Sequence, residues 1–205
     1  VAVFISNPEY MQDMDLDEII SRYNLDRAFY LQYFNWFKNV IRGKLGWSPS
    51  AKMPVMQALK LRIPATIELM FLGQLIIFMG GLILGRWSAL NHNNYIDYII
   101  RFLTILGTSL PGFVIGMVLL VFFYGKFKIL GPGRLDTWAH DIVLSSQFEV
   151  YTGMNLIDSC INLRFDIFMN AFKHIILPSI AYSIGILSSA VRLFRSSLLE
   201  VLHLD

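Results

Sequence analysis

A chain of 205 residues would suit one or two soluble domains, but 55% of these residues are hydrophobic and only 16% are charged, against roughly 25% charged in globular chains. Aromatics at 14% exclude a disordered chain, and the single cysteine, Cys160, excludes a disulfide scaffold. With a net charge of +2 from 17 basic and 15 acidic residues there is no nucleic-acid footprint, and a mean hydropathy of +0.53 leaves a membrane protein.

Val1 to Ser6 are apolar but too few to cross a bilayer, and no basic segment marks them as a signal peptide. They read as the end of a truncated first span (1–6). Asp15-Leu16-Asp17-Glu18 then has the form of a capping box opening a helix. Ile19, Ile20 and Tyr23, followed by Phe29, Tyr30, Tyr33, Phe34, Phe37 and Val40, keep helical spacing. Such an aromatic face packs on a membrane domain or rests at the lipid interface, packing being the commoner reason. Residues 7–62 are therefore assigned as a helical segment outside the membrane.

Three charge-poor windows follow. Between Arg62 and Arg86 lie 23 residues with one charge, Glu68; between Arg101 and Lys126 lie 24 with none; between Lys173 and Arg192 lie 18 with none. About 20 apolar residues cross the hydrocarbon layer as a helix, whereas barrel strands alternate in segments of about 10. Pro64 and Pro178 fit the first turns of the first and third windows. Pro111 falls inside the second and should kink or open it. Glu68 is a functional candidate as an intramembrane carboxylate, but its place near a helix N-terminus favours a structural role.

The short connection Trp87 to Ile100 is flanked by Arg86 and Arg101, while Arg192 and Arg195 follow the third window. The positive-inside rule then puts that connection and the carboxyl end in the cytoplasm, and the long segments outside. The transmembrane domain is 63–195, with an extracytoplasmic insertion at about 126–173, and 196–205 start a cytoplasmic region. In the insertion, Gly131-Pro132-Gly133 marks a turn, and helices are expected over Trp138 to Phe148 and Tyr151 to Phe172. Asn155, Asp158, Asn162, Asp166 and Asn170 recur every three or four residues, as a solvated face would.

Catalytic chemistry finds no support. Asp13, Asp15 and Asp17 begin like a calcium loop, but Glu18 and Asn24 stand where glycine and glutamate are needed. His92, His140, His174 and His203 lack metal-ligand spacing, no phosphate-binding loop exists, and Cys160 reads as a small buried residue. Small residues recur instead: Gly81 and Gly85, Gly112 and Gly116, and Ser179, Ser183, Gly185, Ser188, Ser189 and Ala190. They mark close helix contacts; the sharper alternative is that the serines and the Pro111 break face an aqueous path.

Four collinear stretches carry a family resemblance. LDRAFYLQYFNWFKNVIRGKL (Leu25 to Leu45), PVMQALKLRIPATIEL (Pro54 to Leu69), LGTSLPGFVIGMVLL with the later GPGR (Leu106 to Arg134), and TGMNLIDS with the run from His174 to Asp205 resemble the inner-membrane permease subunits of binding-protein-dependent ABC importers. The likeness is to the B-type subunit of the dipeptide/oligopeptide group, and it covers nearly the whole chain from Leu16. One departure is Val114, where the family pattern has tryptophan.

The resemblance implies an all-α polytopic bundle of the type I importer permease fold with six spans, of which three full ones are present here. The family's first span normally precedes Val1, and its coupling loop and two more spans follow Asp205. It also implies a second (C-type) permease subunit, two ATPase subunits carrying ATP and Mg, and an extracytoplasmic solute-binding protein. The chain itself would bind no cofactor and be no enzyme. Ser109, Pro111, Ser188 and Ser189 are the expected path residues, and Arg192, Arg195 and Glu200 lie on the helix toward the coupling side. A related importer for a sugar or nickel, or a membrane scaffold, is the alternative.

Overall fold

The computed structural model describes residues 28–202. The expected first span, the capping box at Asp15, the rejected calcium loop and His203 lie outside the described residues. Two compact units divide at Pro64.

In the first unit, α1 spans Phe29–Ile41. It ends in a Schellman motif: Gly43 N–H donates to Val40 O and Lys44 N–H to Asn39 O, with Gly43 at φ +78°. Tyr33 stacks on Phe37 at 6.3 Å between ring centroids, and no residue of α1 is buried within this unit. A short hairpin comes next, with β1 (Trp47–Ser48) antiparallel to β2 (Met53–Pro54) in the register Trp47↔Pro54 and Ser48↔Met53.

Two long helices dominate the rest of the chain. α2 runs Val55–Leu90 and α7 runs Phe165–Leu202; both are long and apolar enough to cross a membrane. The second apolar window is a broken pair, α3 (Tyr95–Ser109) and α4 (Gly112–Leu120), the latter running on as a π-helical turn over Val121–Lys126. Its two halves meet at 106°, a sharper break than a kink. Pro111 has no N–H to continue the ladder and disfavours a helical Leu110, whose ψ is 134°. Between α4 and α7 lie α5 (Thr137–Leu144) and α6 (Asn155–Ile161).

Several boundaries differ from the sequence expectation. Pro64 and Pro178 sit well inside α2 and α7 rather than in first turns. Each removes one backbone hydrogen bond, which a helix of 36 or 38 residues can lose and still continue. The Trp87–Ile100 connection shrinks to residues 91–94, because Asn94 caps α3 by accepting from Tyr95 N–H at 2.8 Å. The helix expected over Tyr151 to Phe172 is cut at Leu163, in the left-handed region at φ +55°, and residues from Phe165 on belong to α7.

Helix α7 is the axis on which the second unit packs, and small residues set its contacts. A Cβ added at Gly85 would stand 2.7 Å from Phe194 Cβ and 3.2 Å from Val191 O, and one at Gly81 3.2 Å from Ala190 Cβ. Gly107 of α3 would meet Ser188 Oγ and Ile184, and Gly116 of α4 lies against Ala181. The glycine pairs are thus helix–helix contacts, as expected of small residues in membrane bundles.

Candidate functional site

Polar chemistry in the second unit gathers at two levels. Glu68, buried on α2, accepts from Leu156 N–H at 2.6 Å and from Arg134 Nη2 at 3.3 Å. Leu156 lies in the first turn of α6, so the carboxylate satisfies a helix N-terminus; it belongs to a different helix from the one expected, since Glu68 is far from the start of its own. Arg134 also donates to Gly153 O at 3.0 Å, tying the GPGR turn to the loop before α6.

That loop is fixed from within as well. Asp158 is 2% exposed and accepts from Thr152 N–H, Thr152 Oγ1 and Gly153 N–H at 2.8 to 2.9 Å. Asn162 pairs with the Glu149 backbone through both amide atoms, at 3.0 and 2.8 Å. Asn170 on α7 receives Asp136 N–H at 2.9 Å and donates to Asp136 Oδ2 at 2.6 Å, with His174 Nε2 3.4 Å from Asp136 Oδ1. The polar face read as solvated is therefore buried and partnered at Asp158, which holds the loop before α6, and at Asn170, which pins Asp136 to α7. Only Asp166 of the five keeps an exposed ion pair, with Arg164 at 2.7 Å. Cys160, expected to be buried, is exposed.

The other level lies about 30 Å along α2, 20 residues from Glu68 at Ser88. There Arg195 of α7 reaches Asp97 of α3 in a two-point pair, Nε to Oδ1 and Nη2 to Oδ2, each 2.8 Å. Ser88 Oγ donates to Oδ1 at 2.5 Å and Asn93 N–H to Oδ2 at 3.2 Å. Asp97 is 0% exposed and has four donors, so its charge is buried but matched. The separation is comparable to the thickness of a bilayer's hydrocarbon core.

Between the clamps α2, α3, α4 and α7 line a partly open apolar cavity of about 330 Å³, formed by Leu84, Leu103, Thr104, Leu110, Ile184 and Ser188 among others. Of the expected path residues only Ser188 lines it, and Ser188 is buried with its hydroxyl donating to Ile184 O at 2.8 Å. Ser179 and Ser183 are likewise buried and bond back to Ile175 O and Ile180 O. Ser109 and Pro111 are exposed at the break, Ser109 donating to Ile105 O at 2.8 Å.

Ser189 is also exposed and accepts from Arg192 Nη2 at 3.2 Å. Arg192 Nη1 further approaches Thr104 O at 3.4 Å and Thr108 Oγ1 at 3.5 Å. Ser189 therefore lies with Arg192 and Thr108, Ser188 with the cavity, and Ser109 and Pro111 are exposed at the break itself. Glu200 is exposed in the last turn of α7.

Residues 81–205 match the model of the binding-protein-dependent transport system inner membrane component. The chain belongs to that family. It is 34% identical over 194 residues, 94% of its own length, to the "Probable D,D-dipeptide transport system permease protein" of Escherichia coli. Against a di/tripeptide transport system permease protein of Pseudomonas aeruginosa it is 32% identical over 92% of this chain and 54% of that one. An oligopeptide transport system permease protein of Bacillus subtilis is 27% identical over 93% of this chain and 53% of that one. The chain spans about half the length of the curated relatives it matches. The matched region includes the Gly81–Gly85 contact, the Asp97 clamp, the Pro111 break and all of α7.

Asp97, and its pairing with Arg195, Ser88 and Asn93, escaped the sequence reading, although Arg195 itself was a candidate. A signal existed: Asn94 followed by Tyr95, Ile96, Ile99 and Ile100 is a cap ahead of a periodic apolar run. It would have put Asp97 in a first turn and not in a solvated loop.

Proposed function

We propose that this chain supplies part of one permease subunit of an ATP-driven, binding-protein-dependent importer, and that its cargo is di- or oligopeptides. The observation that carries the reading is the α3–α4 break, with Thr108, Ser109, Ser189 and Arg192 exposed beside it at the depth of the bundle. The surrounding exposed residues, Ile105, Leu106, Leu110, Ile186 and Leu193, are apolar. Carbonyls in the last turn of α3 lose their helical donors at the break, and non-helical backbone at membrane depth is tolerated where it is covered by protein or meets water. A path shared with a second permease subunit provides both.

The insertion faces outside and receives the solute-binding protein. The 91–94 connection and the carboxyl end of α7 face the cytoplasm, where two ATPase subunits bind ATP and Mg. Arg86, Arg101 and Arg195 stand toward that end, which supports the orientation. Motion from the ATPases enters through the end of α7, past Glu200, and the Arg195–Asp97 pair makes α2, α3 and α7 move as one body. Tilting of that body against the partner subunit opens the path alternately to either side. Peptide cargo is supported by the names of the three relatives.

The test is purification of the whole natural subunit with its partners, reconstituted in vesicles with the binding protein inside or outside. Uptake of a labelled dipeptide that needs both ATP and the binding protein is expected. Purification without ATPase chains, or uptake indifferent to ATP, would sink the reading.

A further inference from the structure

Arg192 differs from three other arginines of the second unit. Arg134, Arg164 and Arg195 each hold a carboxylate, whereas Arg192 has no carboxylate partner among the described residues. Its contacts, at 3.2 to 3.5 Å, go to neutral oxygens on Ser189, Thr104 and Thr108. An unmatched guanidinium keeps most of its hydrogen-bonding and charge capacity for something else.

Depth sharpens the point. Arg192 is three residues before Arg195, about 4.5 Å further from the Asp97 clamp. Its guanidinium reaches to Thr104 and Thr108, seven and eleven residues past Asp97, or about 10 and 16 Å along α3. A long basic side chain that serves only to meet the membrane surface turns its head toward the nearer interface. Arg192 turns the other way, into the polar patch at the α3–α4 break. The Thr108 and Ser189 hydroxyls meet the guanidinium there, and neither carries charge.

We infer that Arg192 is a carboxylate-recognising contact in the path, and that its ligand is the free terminal carboxylate of a passing peptide. A guanidinium offers two parallel N–H donors to a carboxylate, which its neutral neighbours cannot replace. Because the existing bonds are long and neutral, an arriving carboxylate displaces them at little loss and leaves again when the path turns over. Ser189 and Thr108 act as positioning residues that hold the fork in line. Arg192 thereby separates from Arg195, which is locked and points to its own helix clamp. The inference rests on the peptide-importer reading.

The experiment uses the complete transporter in vesicles, with alanylphenylalanine and its C-terminal amide as probes. Uptake of each is divided by its measured occupancy of the binding protein, so that the binding protein's own preference drops out. The unaltered transporter is expected to favour the free carboxylate, and Arg192→Gln to reduce that preference about tenfold, with Arg192→Lys recovering part of it. A preference unchanged in Arg192→Gln would overturn the assignment. So would equal losses for both probes in the Gln and Lys variants, which would mark a purely structural arginine. Failure of the unaltered transporter to import either probe would remove the importer reading itself, and this inference with it.

Discussion

The Arg195 guanidinium lies edge-on to the Asp97 carboxylate, two bonds of 2.8 Å joining residues 98 apart in sequence. Asp97 is inaccessible and Arg195 is partly covered, so the pair holds α7 to α3 where water competes weakly. Ser88 extends the joint to α2.

Removing one partner leaves the other charge buried and unmatched. Asp97→Ala should therefore destabilise the subunit by about 3–5 kcal/mol, whereas replacing Asp97 and Arg195 together by leucine should cost less than Asp97→Ala alone. Thermal unfolding of the purified transporter in detergent, followed for the single and double variants, reads this directly. An additive double variant would mean that the two residues do not act as a pair. Arg195→Glu, which sets two carboxylates together, should also uncouple ATP hydrolysis from uptake; tight coupling in that variant would exclude the proposed transmission through α7.

Glu68 performs two tasks that a substitution can separate. Glu68→Gln keeps an oxygen for Leu156 N–H but gives up the charge that holds Arg134. Glu68→Ala gives up both. The alanine variant should loosen the insertion by about 2–3 kcal/mol and the glutamine variant by roughly half as much. Limited proteolysis within residues 145–153, before α6, measures that local opening. Equal cleavage rates in all three proteins would show that the insertion does not depend on Glu68.

How far the sequence foretold these features depends on their range. The apolar windows, the Pro111 break and the glycine contacts are local: a run of side chains, a missing N–H and an absent Cβ carry the information themselves. Partner choice is not local. Glu68 meets a backbone amide 88 residues away and Asp97 a guanidinium 98 residues away. Charge counting assumes that the ionised groups bounding a window mark where a helix meets water; Asp97, counted into the connection, and Glu68, left inside its window, both find protein donors instead. The same assumption misplaced Pro64 and Pro178, since window edges drawn at Arg62 and Lys173 were taken as helix starts. For Asp158 and Asn170, periodicity identified a common face but not what covers it.

Close approach of α2 and α7 gives a packing prediction with an internal control. At Gly85 an added methyl meets Phe194 Cβ at 2.7 Å and the Val191 carbonyl at 3.2 Å, neither of which can move without shifting α7. Gly85→Ala should cost about 1–3 kcal/mol. Gly125, in the π-helical turn, has nothing within 4 Å of an added Cβ. Gly125→Ala should leave the melting temperature within a degree or two of the parent (about 0.5 kcal/mol or less). Equal effects at the two sites would contradict the helix contact.

Two helix ends in this chain share one motif but not one residue. After α1 the left-handed position is Gly43; after α6 it is Leu163, whose N–H donates to Cys160 O at 3.1 Å while Arg164 N–H donates to Ser159 O at 2.9 Å. A leucine at φ +55° sets its Cβ against the backbone, at a cost of about 1–2 kcal/mol that glycine avoids. The Leu163 side chain is 90% exposed, so it returns little packing energy for that strain. Leu163→Gly should raise stability by about 1 kcal/mol, part of the relief being offset by the greater freedom of glycine in the unfolded chain. Unfolding of the purified protein checks the sign. A fall in stability would mean that Leu163 has an apolar neighbour in the assembled protein, such as lipid or a partner subunit.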